Sequence, residues 1–107
     1  MARRRVVITG LGIVSPVGNS IDQAWQNIIA GKSGIGRVTR FDASTFPTQI
    51  AGEVKNFDIT QYISAKDARR MDKFIHYGLA AGIQAVRDAG LDKEGAADPE
   101  RVGVAIG

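Results

Sequence analysis

Lys66, Arg69, Arg70 and Lys73 stand at spacings i, i+3, i+4 and i+7. On a continuous α-helix, at about 100° per residue, these positions share an arc of roughly 100° on one face. Four cations on one arc form a positive patch that would steer and hold an acidic partner, with an attraction that weakens as salt is added. Asp67 and Asp72 interleave them in sequence but fall off the arc. The bland alternative is a solvated helix flank, and spacing alone is compatible with both.

Other reactive groups are few. The chain has no cysteine, which removes disulfides, thiolate metal sites and a cysteine nucleophile together. Its one histidine, His76, rules out a multi-histidine metal site. His76 could serve as a general base with Ser15 or Ser64, but no oriented triad is visible. The favoured reading is a helix residue making an ordinary hydrogen bond or lying near a subunit contact. Arg3, Arg4 and Arg5 read as a solubilising terminus. The net charge of +3 is too modest to argue for nucleic acid by itself.

Glycines bring a further candidate chemistry. The stretch VVITGLGIVSPVG, residues 6–18, runs from an apolar segment into a glycine-rich turn. A dinucleotide fingerprint needs a small third residue where this chain has Ser15, and an acidic residue about 20 positions later that is missing here. Gly31-Lys32-Ser33 fails as a phosphate loop, because Gln26 stands where the leading glycine is required. Gly10 and Gly12 are therefore expected to let this segment pass close to other backbone, with Pro16-Val17-Gly18 as a turn. No cofactor-binding or metal-binding residue is assigned.

The elements that must position these groups follow from pattern and punctuation. With 44% of residues hydrophobic and 23% charged, the chain has the composition of a folded protein. Residues 4–9 are apolar, β-branched and glycine-bounded, which predicts a buried strand. Ser20 with Gln23 predicts a capping box, followed by a helix that Gly31 ends. Residues 31–49 read mostly as loop and 50–54 as a short strand. Ser64 predicts the cap of a long helical region reaching about Ala89, stopped by Gly90. Residues 101–107 predict another strand. Trp25 and Phe74 are expected in the core. No stretch approaches the roughly 18 to 20 apolar residues of a membrane span, and no signal peptide is read, so the expected location is cytoplasmic.

The layout is awkward for a complete domain. Strands apolar on both faces need helices on each side of a parallel sheet. The long helix carries Gly78, Ala81, Gly82, Ala85 and Ala89 beside larger apolar residues, which asks for close packing by several neighbours. Residues 1–107 are thus expected to be the opening segment of a longer protein.

Taken in order, VVITGLGIVSPVGN (residues 6–19), AGKSGI (30–35), RFD (40–42), AGEV (51–54), RRMDKFIHYG (69–78) and RVGVAIG (101–107) resemble the β-ketoacyl-acyl carrier protein synthases, the condensing enzymes of fatty-acid synthesis. The basic stretch is more similar to the type II than to the type I synthases. The resemblance covers essentially the whole chain. It implies an α/β fold, the N-terminal part of a thiolase-like layered α-β-α-β-α architecture, with this chain inside its first half. It also implies a homodimer and no metal or organic cofactor; from the modest net charge and the lack of an apolar span, no nucleic-acid or membrane partner is expected. The family's cysteine nucleophile, paired histidines and nearby lysine have no counterpart here, so no catalytic residue is assigned and the segment alone is expected to be inactive. The resemblance turns Lys66, Arg69, Arg70 and Lys73 into candidate contacts for the acidic acyl carrier protein. A polyketide ketosynthase, its chain-length partner, and a stand-alone carrier-binding module are the competing readings.

Overall fold

A computed structural model describes residues 2–107. Helix α1 spans Ile21–Ile29, strand β1 Ile35–Arg37, strand β2 Ile50–Gly52, helix α2 Ala65–Ala68 and helix α3 Lys73–Asp88. Short 3-10 turns occupy Ile59–Gln61 and Pro99–Arg101.

The helix boundaries obey local chemistry. Ser20 Oγ accepts the Gln23 N–H at 3.2 Å and starts α1. The Gln23 side chain reaches back one residue further than a capping box requires, accepting the Asn19 N–H at 2.9 Å. Helix α1 ends in a Schellman motif: Gly31 N–H bonds to Ile28 O, Lys32 N–H bonds to Asn27 O, and Gly31 has φ +69°. Helix α3 ends the same way around Gly90 at φ +73°, with Gly90 N–H on Arg87 O and Leu91 N–H on Val86 O. Both terminators were legible in sequence.

Strands β1 and β2 pair antiparallel, Ile35 opposite Gly52 and Arg37 opposite Ile50. This is the sheet of the described residues, and it corrects the expectation of strands at 4–9 and 101–107. A strand needs a neighbour to take its N–H and C=O groups, and apolar β-branched composition cannot supply one. Val6 and Ile8 are 93% and 82% exposed, and Val104 is 85% exposed. Strand β1 lies inside the stretch read as loop, where a three-residue strand carries too little alternation to show. Trp25 and Phe74 are also corrected: they stand 61% and 72% exposed, and the buried hydrophobic side chains are alanines, Ala24, Ala43, Ala68 and Ala80.

The glycine-rich segment lies along α3. A Cβ on Gly10 would sit 2.3 Å from Ala85 O, and one on Gly12 would sit 2.0 Å from Ala81 O. Only glycine permits that approach, so the segment nests on the alanine stripe Ala81, Ala85 and Ala89. Side chains of α3 take the backbone donors this close contact would orphan. Leu11 N–H donates to Asp88 Oδ2 at 3.0 Å and Ile13 N–H to Gln84 Oε1 at 3.1 Å. Ser15 and Gly18 then exchange backbone bonds across Pro16-Val17, the expected turn.

Lys55 ties this turn to the hairpin. Its Nζ donates to Pro16 O, Gly34 O and Glu53 O at 3.0–3.1 Å. Three donors meeting three carbonyls saturate an ammonium group.

Candidate functional site

The basic residues sit on a broken helix, which corrects the single continuous face expected for them. Ser64 Oγ accepts the Asp67 N–H at 3.1 Å and starts α2, but the α-helix stops after Ala68. Arg70 N–H then reaches Asp67 O and Met71 N–H reaches Ala68 O, bonds three residues apart that tighten the last turn. Asp72 follows in an extended conformation and Lys73 restarts the chain as the first residue of α3. Lys66 therefore lies within α2, Arg69 caps it, Arg70 lies in the turn beyond, and Lys73 opens a different helix. The helical-wheel arc of roughly 100° does not apply across this break.

All four cations are exposed. The side-chain hydrogen bonds that lysine and arginine make among the described residues come from Arg37, Arg40 and Lys55, none of them in this group. Lys66, Arg69 and Arg70 stay together on one small unit, α2 and its closing turn, which packs against the Ile59–Gln61 turn. Lys73 faces a separate cleft of about 300 Å³, shared with Arg40, Asn56, Phe57, His76 and Tyr77. Arg40 Nη2 donates to Tyr77 Oη at 2.7 Å, and the Phe57 ring meets Tyr77 edge-on with centroids 5.2 Å apart. No carboxylate lines this cleft. Sequence reasoning missed Arg40 here, because it lies 33 positions from Lys73 and no local signal joins them.

His76 makes the ordinary hydrogen bond expected of it. Its Nε2 lies 2.8 Å from Ala68 O. Ser15 and Ser64 hold turn and cap bonds instead, so no triad forms. Among the described residues no cluster of His, Asp or Glu could hold a metal ion, and no helix is long and apolar enough to cross a membrane.

Three carboxylates near the hairpin and loops are held below their usual range by hydroxyl and backbone donors. Glu53 is lowered first by the Thr39 hydroxyl at 2.7 Å and then by the Thr39 N–H at 3.0 Å. Ser44 does the same for Asp42, and Thr60 for Asp58. Asp42 and Asp58 bond residues two positions on, and Glu53 bonds Thr39 14 positions back, so these carboxylates shape the loops around them.

Comparison with known proteins supplies what the geometry lacks. Residues 3–107 match the family described as Beta-ketoacyl synthase, N-terminal domain. A 3-oxoacyl-(acyl-carrier-protein) synthase 2 of Vibrio harveyi is 56% identical over 109 aligned positions, covering 100% of this chain and 26% of that protein. The synthase of the same name from Coxiella burnetii is 51% identical, again over 100% of this chain and 26% of its own length. A solved structure titled the ishigamide ketosynthase/chain length factor superposes with a TM-score of 0.72 at 37% identity, covering 83% of this chain and 22% of that one. The chain thus spans about a quarter of the length of the curated relatives it matches.

Proposed function

The chain belongs to the β-ketoacyl synthase family, and on that premise we propose that it is the N-terminal part of a type II 3-oxoacyl-acyl carrier protein synthase. Identity of 51–56% to synthases of that name, across the whole chain, carries the reading. The full protein would hold an acyl chain as a cysteine thioester. Malonyl-carrier protein would lose carbon dioxide, its carbanion would attack the thioester carbonyl, and the cysteine thiolate would leave, extending the chain by two carbons. Preformed hydrogen-bond donors would stabilise the oxyanion.

None of those groups belongs to these residues, which contain no cysteine. The segment's own share is scaffold and docking, and alone it would not condense. Its exposed apolar groups, Val6, Ile8, Trp25, Phe74 and Val104 among them, would pack against the remaining three-quarters of a thiolase-like fold. Residues 1–107 would thus form part of the first half of that fold, in a cytoplasmic homodimer needing neither metal nor organic cofactor.

Lys66, Arg69, Arg70 and Lys73 are proposed to receive the acidic acyl carrier protein. Their exposure, and the absence among the described residues of side-chain bonds holding them elsewhere, support that role. Changing Arg69 and Arg70 together to Glu in the full-length protein is expected to raise KM for carrier-bound substrate while leaving a small acyl thioester little changed. Equal effects on both substrates would end the docking reading.

A polyketide ketosynthase or chain-length partner is the second reading, favoured by the ishigamide likeness but at the lower identity of 37%. A self-standing carrier-binding module would instead require a cooperative unfolding transition from these 107 residues alone.

A further inference from the structure

His76 lies in the first turn of α3, yet its ring reaches back eight residues to the last residue of α2. A carbonyl oxygen only accepts, so Nε2 carries the proton and donates to Ala68 O at 2.8 Å. Ala68 is buried, and the same oxygen accepts the Met71 N–H at 3.2 Å. Both lone pairs of that carbonyl are therefore engaged, one from within the turn and one from α3. Arg69 and Arg70 lie between Ala68 and Met71. Their own N–H groups are fixed on Ala65 O and Asp67 O at 3.2 and 3.1 Å.

Helix α2 has four residues, far below the length at which a helix holds itself. Its orientation depends on what grips it from outside, and His76 supplies a grip at its C-terminal end, beside Arg69 and Arg70.

We propose that His76 is a positioning residue for carrier docking: its Nε2–H bond to Ala68 O locks α2 and the following turn to α3, so that Lys66, Arg69 and Arg70 meet the carrier in one arrangement. This rests on the docking reading above. A patch held ready in its bound geometry loses less freedom on association than one that must be ordered.

The test uses the full-length protein and compares three forms with the wild type: His76→Phe, His76→Gln, and the Arg69→Glu/Arg70→Glu double variant. Phenylalanine keeps a ring and removes the donor. Glutamine restores an N–H at similar reach. KM and kcat are measured with carrier-bound substrate and with a small acyl thioester.

Loss of one hydrogen bond's worth of ordering corresponds to a rise in carrier KM of about three- to tenfold for His76→Phe. Its kcat and its small-thioester kinetics should stay near wild type, and His76→Gln should return carrier KM to within about twofold. If His76→Phe does not fold, His76→Met, flexible and without a donor, takes its place.

Equal behaviour of the donor and donorless variants would overturn the proposal, as would a loss shared by both substrates. If the double variant raises carrier KM while His76→Phe does not, docking stands and the role of His76 falls. If the double variant changes nothing, the docking reading fails and takes this inference with it.

Discussion

The side-chain amide of Gln84 on α3 holds the backbone of the glycine-rich segment at Ile13 and Asn19. Its Oε1 accepts the Ile13 N–H at 3.1 Å, while its Nε2 donates to Asn19 O at 2.7 Å and to Tyr62 Oη at 3.0 Å. One partly buried side chain on α3 thus joins the middle and the C-terminal end of the glycine-rich segment to the helix beneath it. Gln84→Leu removes all three bonds and leaves a backbone donor and a backbone acceptor without partners. The expected cost is about 2 kcal/mol, since unsatisfied groups of this kind cost about 1–3 kcal/mol each and part of that is recovered by water. A urea titration reads it, and an unmoved midpoint would show that the amide is dispensable.

Gly12→Ala should be more damaging than its single methyl group suggests. The new Cβ would lie 2.0 Å from Ala81 O, and backbone, unlike a flexible side chain, cannot swing away. Separation of the segment from α3 should cost about 2–4 kcal/mol, in the range of severe overpacking. Gly36→Ala meets nothing within 4 Å and serves as the comparison. Similar melting temperatures for the two variants would refute the close-approach account.

Lys55→Met tests the carbonyl cluster over Pro16, Gly34 and Glu53. Methionine keeps the apolar stem and removes the charge-assisted donors. Lys55 is solvent-exposed in part, so water can replace some of what is lost. A loss of about 1 kcal/mol is expected, below the roughly 1.5–3 kcal/mol of bonds to charged groups because water replaces part of it. Hydrogen exchange at Val17 and Gly18 should quicken, and unchanged rates there would show that the turn holds without the ammonium.

Acid should loosen the link between Thr39 and Glu53. The Glu53 carboxyl is held below its usual range by the Thr39 hydroxyl and N–H, so the folded state favours the ionised form. Its contribution is present above the unfolded value, about 4.5, and is lost as pH falls through the lower folded value. Glu53→Gln should therefore lose that contribution at neutral pH, flatten the acid side of the stability–pH curve, and converge on the wild type in acid. Wild-type and variant curves of identical slope below about pH 4 would contradict the assignment.

Salt should separate carrier docking from chemistry in the full-length protein. Contacts between exposed cations and an acidic carrier are screened over about 8–10 Å at moderate ionic strength. Carrier KM should climb with added sodium chloride while the small-thioester KM stays flat. A salt-independent carrier KM would remove the electrostatic basis for Lys66, Arg69, Arg70 and Lys73.

Local rules made much of this chain legible. Ser20 and Ser64 were readable as caps and Gly31 and Gly90 as terminators, because each acts on backbone groups within a few residues. The failed nucleotide fingerprints left Gly10 and Gly12 as close-approach positions, and the structure places them on α3. Family membership was readable from motif order. The break at Arg69–Asp72 was not, because Arg, Met and Asp in that run do not forbid helix.

The sequence by itself determined both ends of α1, the C-terminal end of α3, the turn at Pro16-Val17 and the family to which the chain belongs. Those follow from chemistry among neighbours in the chain and from motif spacing. Only the tertiary structure decided that Gln84 serves Ile13, that Lys55 gathers three distant carbonyls, that Arg40 shares a cleft with Lys73, and that His76 grips Ala68. It also decided that apolar residues 4–9 stand without a ladder partner among the described residues. The physical reason is common to all of them: a hydrogen-bond partner is chosen by position in space, and composition specifies only the capacity to bond.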